Sequence, residues 1–407
     1  MHRAYLLGIF LSVVSGLIPM EGWAQDPTGE APTTDTIVLT LRAAEQRALE
    51  RNPILAASRR EEAIALGERR QAGVYRFNPE VEFEAERLDV PGGQSPLDRY
   101  EAVVAQELEW AGQWGLRKDA ADHGLQGARA SVQDAERRTL LDVREAFHEA
   151  AAAQRKVEVA EEIAELNRRL RDAVATQLAE GEVSALEANL AQIEHGRARS
   201  RVQTARRTLT SALLSLKQVV GLDPEAGVTL EPVVSSATGN AEPVPALPDP
   251  GTLEADSLTR VALGRRPDLL AAAAATDEAR TRERLARREA IPNLRLLLPV
   301  RQGGLGADPD IGLGLGLSVP LWNRNQGTTD AREAALVQSE DLQAGVLLRV
   351  RTEVRDALQA YRSATEEARE LEVSVLAPAR ENRSLLEEAY RAGTNGLPSL
   401  LLLRNPL

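Results

Sequence analysis

The chain states one pattern twice, and that constrains its fold more than any single motif. RNPILAA at Arg51–Ala57 returns as RRPDLLA at Arg265–Ala271, and FNPEVEFE at Phe77–Glu84 returns as IPNLRLLL at Ile291–Leu298. AQELEWAGQWGLRKDAA at Ala105–Ala121 returns as GLSVPLWNRNQGTTDAR at Gly316–Arg332, and VREAFHEA at Val143–Ala150 as VRDALQAY at Val354–Tyr361. Gly181 and Gly393 occupy matching places near the end of each copy. One supersecondary unit is used twice, over residues 37–222 and 257–407, with residues 223–256 between them.

Within each copy the hydrophobic period is helical. Leu209, Leu213, Leu216 and Val220 are spaced by four and three, as are Val350, Val354, Leu358 and Tyr361. No proline interrupts Gly115–Val220, so the pattern predicts helices of coiled-coil length with charged flanks. Pro53 and Pro267 each predict a break after a short opening helix, because the residue before proline resists helical dihedrals. Pro378 predicts a kink in the long helix of the second copy.

Two stretches per copy change to a period of two. Residues 78–88 place Glu80, Glu82, Glu84 and Glu86 on one side and Val81, Phe83 and Ala85 on the other. Residues 100–110 alternate likewise. Residues 311–321 set Ile311, Leu313, Leu315, Leu317, Val319 and Leu321 against glycine and serine, and residues 292–300 alternate more weakly. Such segments are amphipathic strands, long enough to cross a bilayer when tilted; hairpins on a soluble domain are the competing reading. Backbone in hydrocarbon must close into a barrel, and four strands are too few, so several chains must contribute.

The ends and the middle are different material. Met1–Ala24 reads as a secretory signal with a cleavage site after Ala24, followed by a flexible segment at 25–36. The proline-rich residues 223–256 read as a linker. The sequence has no cysteine, which excludes disulfides, a lipidated cysteine and thiolate metal sites. A net charge of −12 argues against a nucleic-acid partner.

These motifs resemble the TolC family of outer-membrane efflux channels, in its CzcC-like heavy-metal branch. The resemblance rests on RNPILAA, NPEVEFEAE, QELEWAGQWGLRKDAA, AYRAGTNGLPSLLLL and above all PLWNRNQG at Pro320–Gly327. It implies a homotrimer in the outer membrane of a Gram-negative bacterium, with a twelve-stranded barrel in outer-membrane lipid above a helical tube in the periplasm. It implies two further partners, a periplasmic adaptor (a membrane fusion protein) and an inner-membrane RND pump. The expected function is a passive exit duct for divalent metal cations; a duct for organic compounds and a poreless periplasmic scaffold are the alternatives.

Candidate residues follow. Glu80, Glu82, Glu84, Glu86, Glu101, Glu107 and Glu109 are expected to line an acidic lumen that favours cations, against the plainer reading of a solvated face. Gly181, Glu182, Val183 and Ser184, with Gly393, Thr394, Asn395 and Gly396, are the expected helical tips where an adaptor docks, or turn residues and nothing more. Trp110, Trp114 and Trp322 flank the strands as interfacial anchors or core. His123, His148 and His195 are too scattered for a metal site and read as helix-surface residues; no cofactor or catalytic motif appears. The helix Val183–Val220 has only a short counterpart between Gly393 and Leu407, which predicts a truncated final helix and an imperfectly sealed assembly.

Overall fold

The computed structural model describes residues 37–88, 97–231, 248–303, 308–382 and 385. The expected signal at Met1–Ala24, the segment 25–36, most of the linker and the second tip at Gly393–Gly396 lie outside the described residues.

Strand β1 (Ile37–Leu39) leads into α1 (Leu41–Arg51), which Thr40 caps by accepting a hydrogen bond from the Ala43 amide at 3.1 Å. Asn52 is extended (ψ 121°) ahead of Pro53, which ends α1 and starts α2 (Pro53–Gly73). The Asn52 carboxamide oxygen accepts from the amides of Ile54 (2.8 Å) and Leu55 (3.1 Å), satisfying donors that the new helix leaves open. After β2 (Glu80–Leu88) and β3 (Leu97–Leu108) comes α3 (Gln113–Ala179), a 67-residue helix about 100 Å long. Helix α4 (Ala185–Val220) returns along its second half.

Strand β4 (Val228–Leu230) pairs in parallel with β1, in register Ile37↔Val228 to Leu39↔Leu230. The residues read as a linker thus begin with an ordered strand. Three-residue strands carry too little periodicity to be seen in sequence. The second copy repeats the break: α5 (Ala255–Arg265) stops at Arg266 and α6 (Pro267–Glu289) follows. Then come β5 (Leu294–Gln302), β6 (Asp310–Ile311), β7 (Gly314–Leu317) and α7 (Gln326–Glu370).

At Leu371–Leu376 the α7 path widens into a π-helical turn, immediately before Pro378. Proline has no N–H for the Ser374 carbonyl and its ring crowds that oxygen. A π turn relieves such crowding with one extra residue.

The sheet is antiparallel throughout, in the order β2, β3, β5, then β6 and β7 as one interrupted strand. The fourth strand was expected unbroken over 311–321. Its ladder instead lapses at Gly312–Leu313 and ends at Leu317. Gly312 donates its amide to the Pro299 carbonyl at 2.9 Å, and Pro299 has no N–H to return. Helices α2, α3, α6 and α7 lie side by side in the order of the strands they join. Each protomer is therefore one helix–strand layer, four elements wide.

The best-packed region is where α1, α3, α4 and the β1–β4 pair meet, around Ala48, Val143, Phe147, Ala150, Leu216, Val220 and Leu230. Alanine recurs at these contacts, which lets the helices approach closely. In the second copy α5 buries no residue fully, and α7 buries only Val350 and Leu358 among the described residues.

Candidate functional site

Register decides which strand residues share a face. Glu80 pairs with Ala105, Glu82 with Val103, Glu84 with Glu101 and Glu86 with Arg99. Across the next seam Glu101 pairs with Arg301 and Glu107 with Arg295, and the fourth strand adds Asp310 and Gly316. Paired residues point to the same side, so Glu80, Glu82, Glu84, Glu86, Glu101 and Glu107 stand on one face. Val81, Phe83, Ala102, Val104, Leu296, Leu298, Ile311 and Leu315 form the other. Phe83 is 70% exposed and Leu315 68%. Such a continuous apolar face on a four-stranded sheet is what hydrocarbon requires of a barrel exterior.

The polar face is less bare than the sequence suggests. Arg295 reaches Glu80 at 3.0 Å and Glu82 at 3.7 Å. Arg301 meets Glu101 at 3.0 Å and Arg99 meets Glu86 at 3.7 Å. The Glu107 carboxylate accepts from the Asn293 carboxamide at 2.6 Å. Carboxylates still outnumber guanidiniums, and Glu84 has no ion pair among the described residues. Alternation within β5 sets Arg295 opposite Leu294, Leu296 and Leu298, but the register with β3 is what brings Arg295 and Arg301 to this face. A cleft of about 620 Å³ opens at its foot, lined by Arg76, Asn78, Glu80, Glu107, Arg295 and Ser318.

Glu109 departs from this pattern. It lies past the end of β3, and its side chain is 3% exposed in an ion pair with Arg117 of α3. Its amide donates to the Tyr75 hydroxyl at 2.7 Å, and that hydroxyl donates to the Glu107 carbonyl at 3.0 Å. Glu109 thus holds the strand–helix junction together.

The tryptophans mark the same level. The Trp110 indole donates to the Pro292 carbonyl at 2.9 Å and the Trp114 indole to the Ala72 carbonyl at 3.2 Å. Both remain substantially exposed, and Trp322 is more exposed still.

At the far end, α3 stops at a tight turn. Gly181 is left-handed (φ +80°) and the Glu182 amide donates to the Gln177 carbonyl at 2.9 Å, closing the last orphan carbonyls. Ser184 and Glu187 then form a reciprocal capping box, with Ser184 N–H donating to the Glu187 carboxylate at 2.7 Å. The Ser184 backbone and hydroxyl hold the Glu187 carboxyl below its ordinary range. Gly181, Glu182 and Ser184 are exposed and Val183 is half-buried.

Of the histidines, His195 corrects the surface reading: it is buried between α3 and α4. Among the described residues no group of three His, Asp or Glu side chains is placed to hold a metal ion, and no helix is long and apolar enough to cross a membrane.

The family model for outer membrane efflux proteins matches residues 44–222 and 258–401, one block for each copy. The chain belongs to the outer membrane efflux protein family. This efflux protein is 25% identical to the cobalt-zinc-cadmium resistance protein CzcC of Cupriavidus metallidurans, over 84% of its own length and 78% of CzcC. Its fold matches the outer membrane protein VceC of Vibrio cholerae with a TM-score of 0.69 at 17% identity, covering 89% of this chain and 88% of VceC. It matches CusC, whose structures concern transmembrane channel formation, with a TM-score of 0.63 at 16% identity, covering 89% and 85%. The efflux protein is a TolC-type outer-membrane channel component, a transport duct and not an enzyme. Its helical body stands in the periplasm.

Proposed function

We propose that three copies form the exit duct of a tripartite system for divalent heavy-metal cations. The observation that carries the reading is the two-faced sheet with free edges. One face is apolar and the other rich in carboxylates, and the outer edges of β2 and of β6–β7 carry no further strand among the described residues. Hydrocarbon tolerates no such edge. Pairing the β2 edge of one copy with the β6–β7 edge of the next closes a ring, and three copies supply twelve strands. The apolar face then meets lipid, and Glu80, Glu82, Glu84, Glu86, Glu101 and Glu107 face the water-filled lumen, where carboxylate rings attract cations.

The metal cargo is favoured by that wall and by the likeness to a cobalt-zinc-cadmium resistance protein. Passage through this component is passive, and the energy comes from an inner-membrane pump. A periplasmic adaptor docks at the tips, Gly181, Glu182, Val183 and Ser184 with Gly393, Thr394, Asn395 and Gly396.

The test is a deletion strain complemented with this chain, scored for growth in cobalt, zinc and cadmium salts and in a panel of organic antimicrobials. Restored metal tolerance alone supports the reading. Restored tolerance to organic compounds alone assigns the duct to that cargo instead.

A further inference from the structure

We infer that Arg295 sets the charge selectivity of the lumen, acting as a cationic strap laid by the second copy across the acidic strand of the first. The inference rests on the inward-facing assignment of the polar face. Arg295 belongs to β5, opposite Glu107 of β3, yet its guanidinium lies 3.0 Å from Glu80 and 3.7 Å from Glu82, both on β2. To get there the side chain crosses the whole width of β3. Ala105, the β3 residue in register with Glu80, is only 2% exposed on a face with many solvent-exposed members. A small residue is needed under the crossing.

Arg295 differs from the other two arginines of the face. Arg301 neutralises its direct cross-strand partner Glu101, and Arg99 its direct partner Glu86. Arg295 alone spans two carboxylates on a non-adjacent strand, at the foot of the sheet beside the cleft. In a closed ring the three copies of Arg295 form a positive band at one height, interrupting the wall of carboxylates. A permeating cation meets Glu80 and Glu82 with their field already answered, whereas Glu84 above them is bare. A low-dielectric wall focuses such fields, so one guanidinium per protomer weighs heavily on which sign of ion passes.

The purified full-length trimer in planar bilayers under a potassium chloride gradient reads this directly. Arg295→Gln raises the cation-over-anion permeability ratio roughly twofold or more, and Arg295→Lys stays near the original value. The Glu80→Gln, Glu82→Gln pair shifts the reversal potential toward anions, and this second variant serves if Arg295→Gln does not assemble. An unchanged reversal potential in whichever variant assembles overturns the role of Arg295. Because the chain has no cysteine, Glu84→Cys and Phe83→Cys separate that failure from failure of the inward-facing assignment. A charged thiol reagent added from the lumen blocks the channel at position 84. Block at position 83 instead shows that the faces are reversed and overturns both readings.

Discussion

The Asn52 carboxamide donates to the Val219 carbonyl at 2.8 Å, joining the α1–α2 break to the last turn of α4 across most of the first copy. Its oxygen meanwhile caps α2 through Ile54 and Leu55. One buried side chain thus satisfies three backbone groups at a joint. Asn52→Ala removes all of them and leaves the Val219 carbonyl without its donor. The expected loss is about 1–3 kcal/mol, read as a lower urea midpoint for the helical body with secondary structure retained.

Gly221 closes the same joint. It is left-handed (φ +70°), and a Cβ there would meet the Arg51 carbonyl oxygen at 2.6 Å. Gly221→Ala therefore combines about 1–2 kcal/mol of backbone strain with a collision against backbone that cannot turn aside. It should destabilise at least as much as Asn52→Ala. The double variant should fall short of the sum, since both act on one contact; simple additivity in a double-mutant cycle would refute a shared joint.

In the second copy Arg266 stands where Asn52 stands in the first, and it makes an ionic clasp. It donates to both carboxylate oxygens of Asp268, at 3.0 and 2.7 Å, and also pairs with Glu353 of α7. Burial pushes the Asp268 carboxyl up, but hydrogen bonds and charge from Arg266 outweigh it and hold the group below its ordinary value. A carboxyl depressed in the folded state contributes its stability above the unfolded value, about 3.9, and loses it as pH falls below that value toward the folded one. Asp268→Asn should lower stability at neutral pH by roughly 1–2 kcal/mol and flatten the acid limb of a stability-against-pH curve. An acid limb as steep as the original would count against the clasp.

The π turn at Leu371–Leu376 lies just ahead of Pro378, whose ring and missing N–H break the regular ladder. Pro378→Ala restores an N–H to the ladder and should let α7 continue as a regular helix. Hydrogen exchange of amides around Ser374 should slow in the variant. Unchanged exchange would mean that the sequence of the turn, and not the proline, sets its path.

Much of this was legible in the chain because its signals are long or chemically forced. Both proline breaks, the unbroken run of α3 and the alternation in β2 rest on many residues or on a ring that cannot be accommodated. The acidic face was visible as a list of glutamates, but its balance was not. Arg295 and Arg301 come from the other copy, and only strand register brings them to Glu80, Glu82 and Glu101. Glu109 looked like one more strand residue because alternation continues one step past the ladder, where Arg117 and Tyr75 claim it. Pro299 was in plain view as a defect in a strand, yet its effect falls on the neighbouring strand, at Gly312. The β1–β4 pair has no signal at all in isolation, since each half is three residues long.

The seam between β3 and β5, running from Tyr100↔Gln302 to Leu108↔Leu294, joins the two copies by the same kind of antiparallel ladder that the proposed ring places between one protomer and the next. With three chains in the ring, a walk around the pore crosses six near-equivalent hairpins, and only alternate joints lie between separate molecules. A pore of the proposed three copies is thus sixfold in construction and threefold in chemistry. Duplication let one half specialise in carboxylates and the other supply two of the three arginines that answer them, an asymmetry that six identical pieces could never have held.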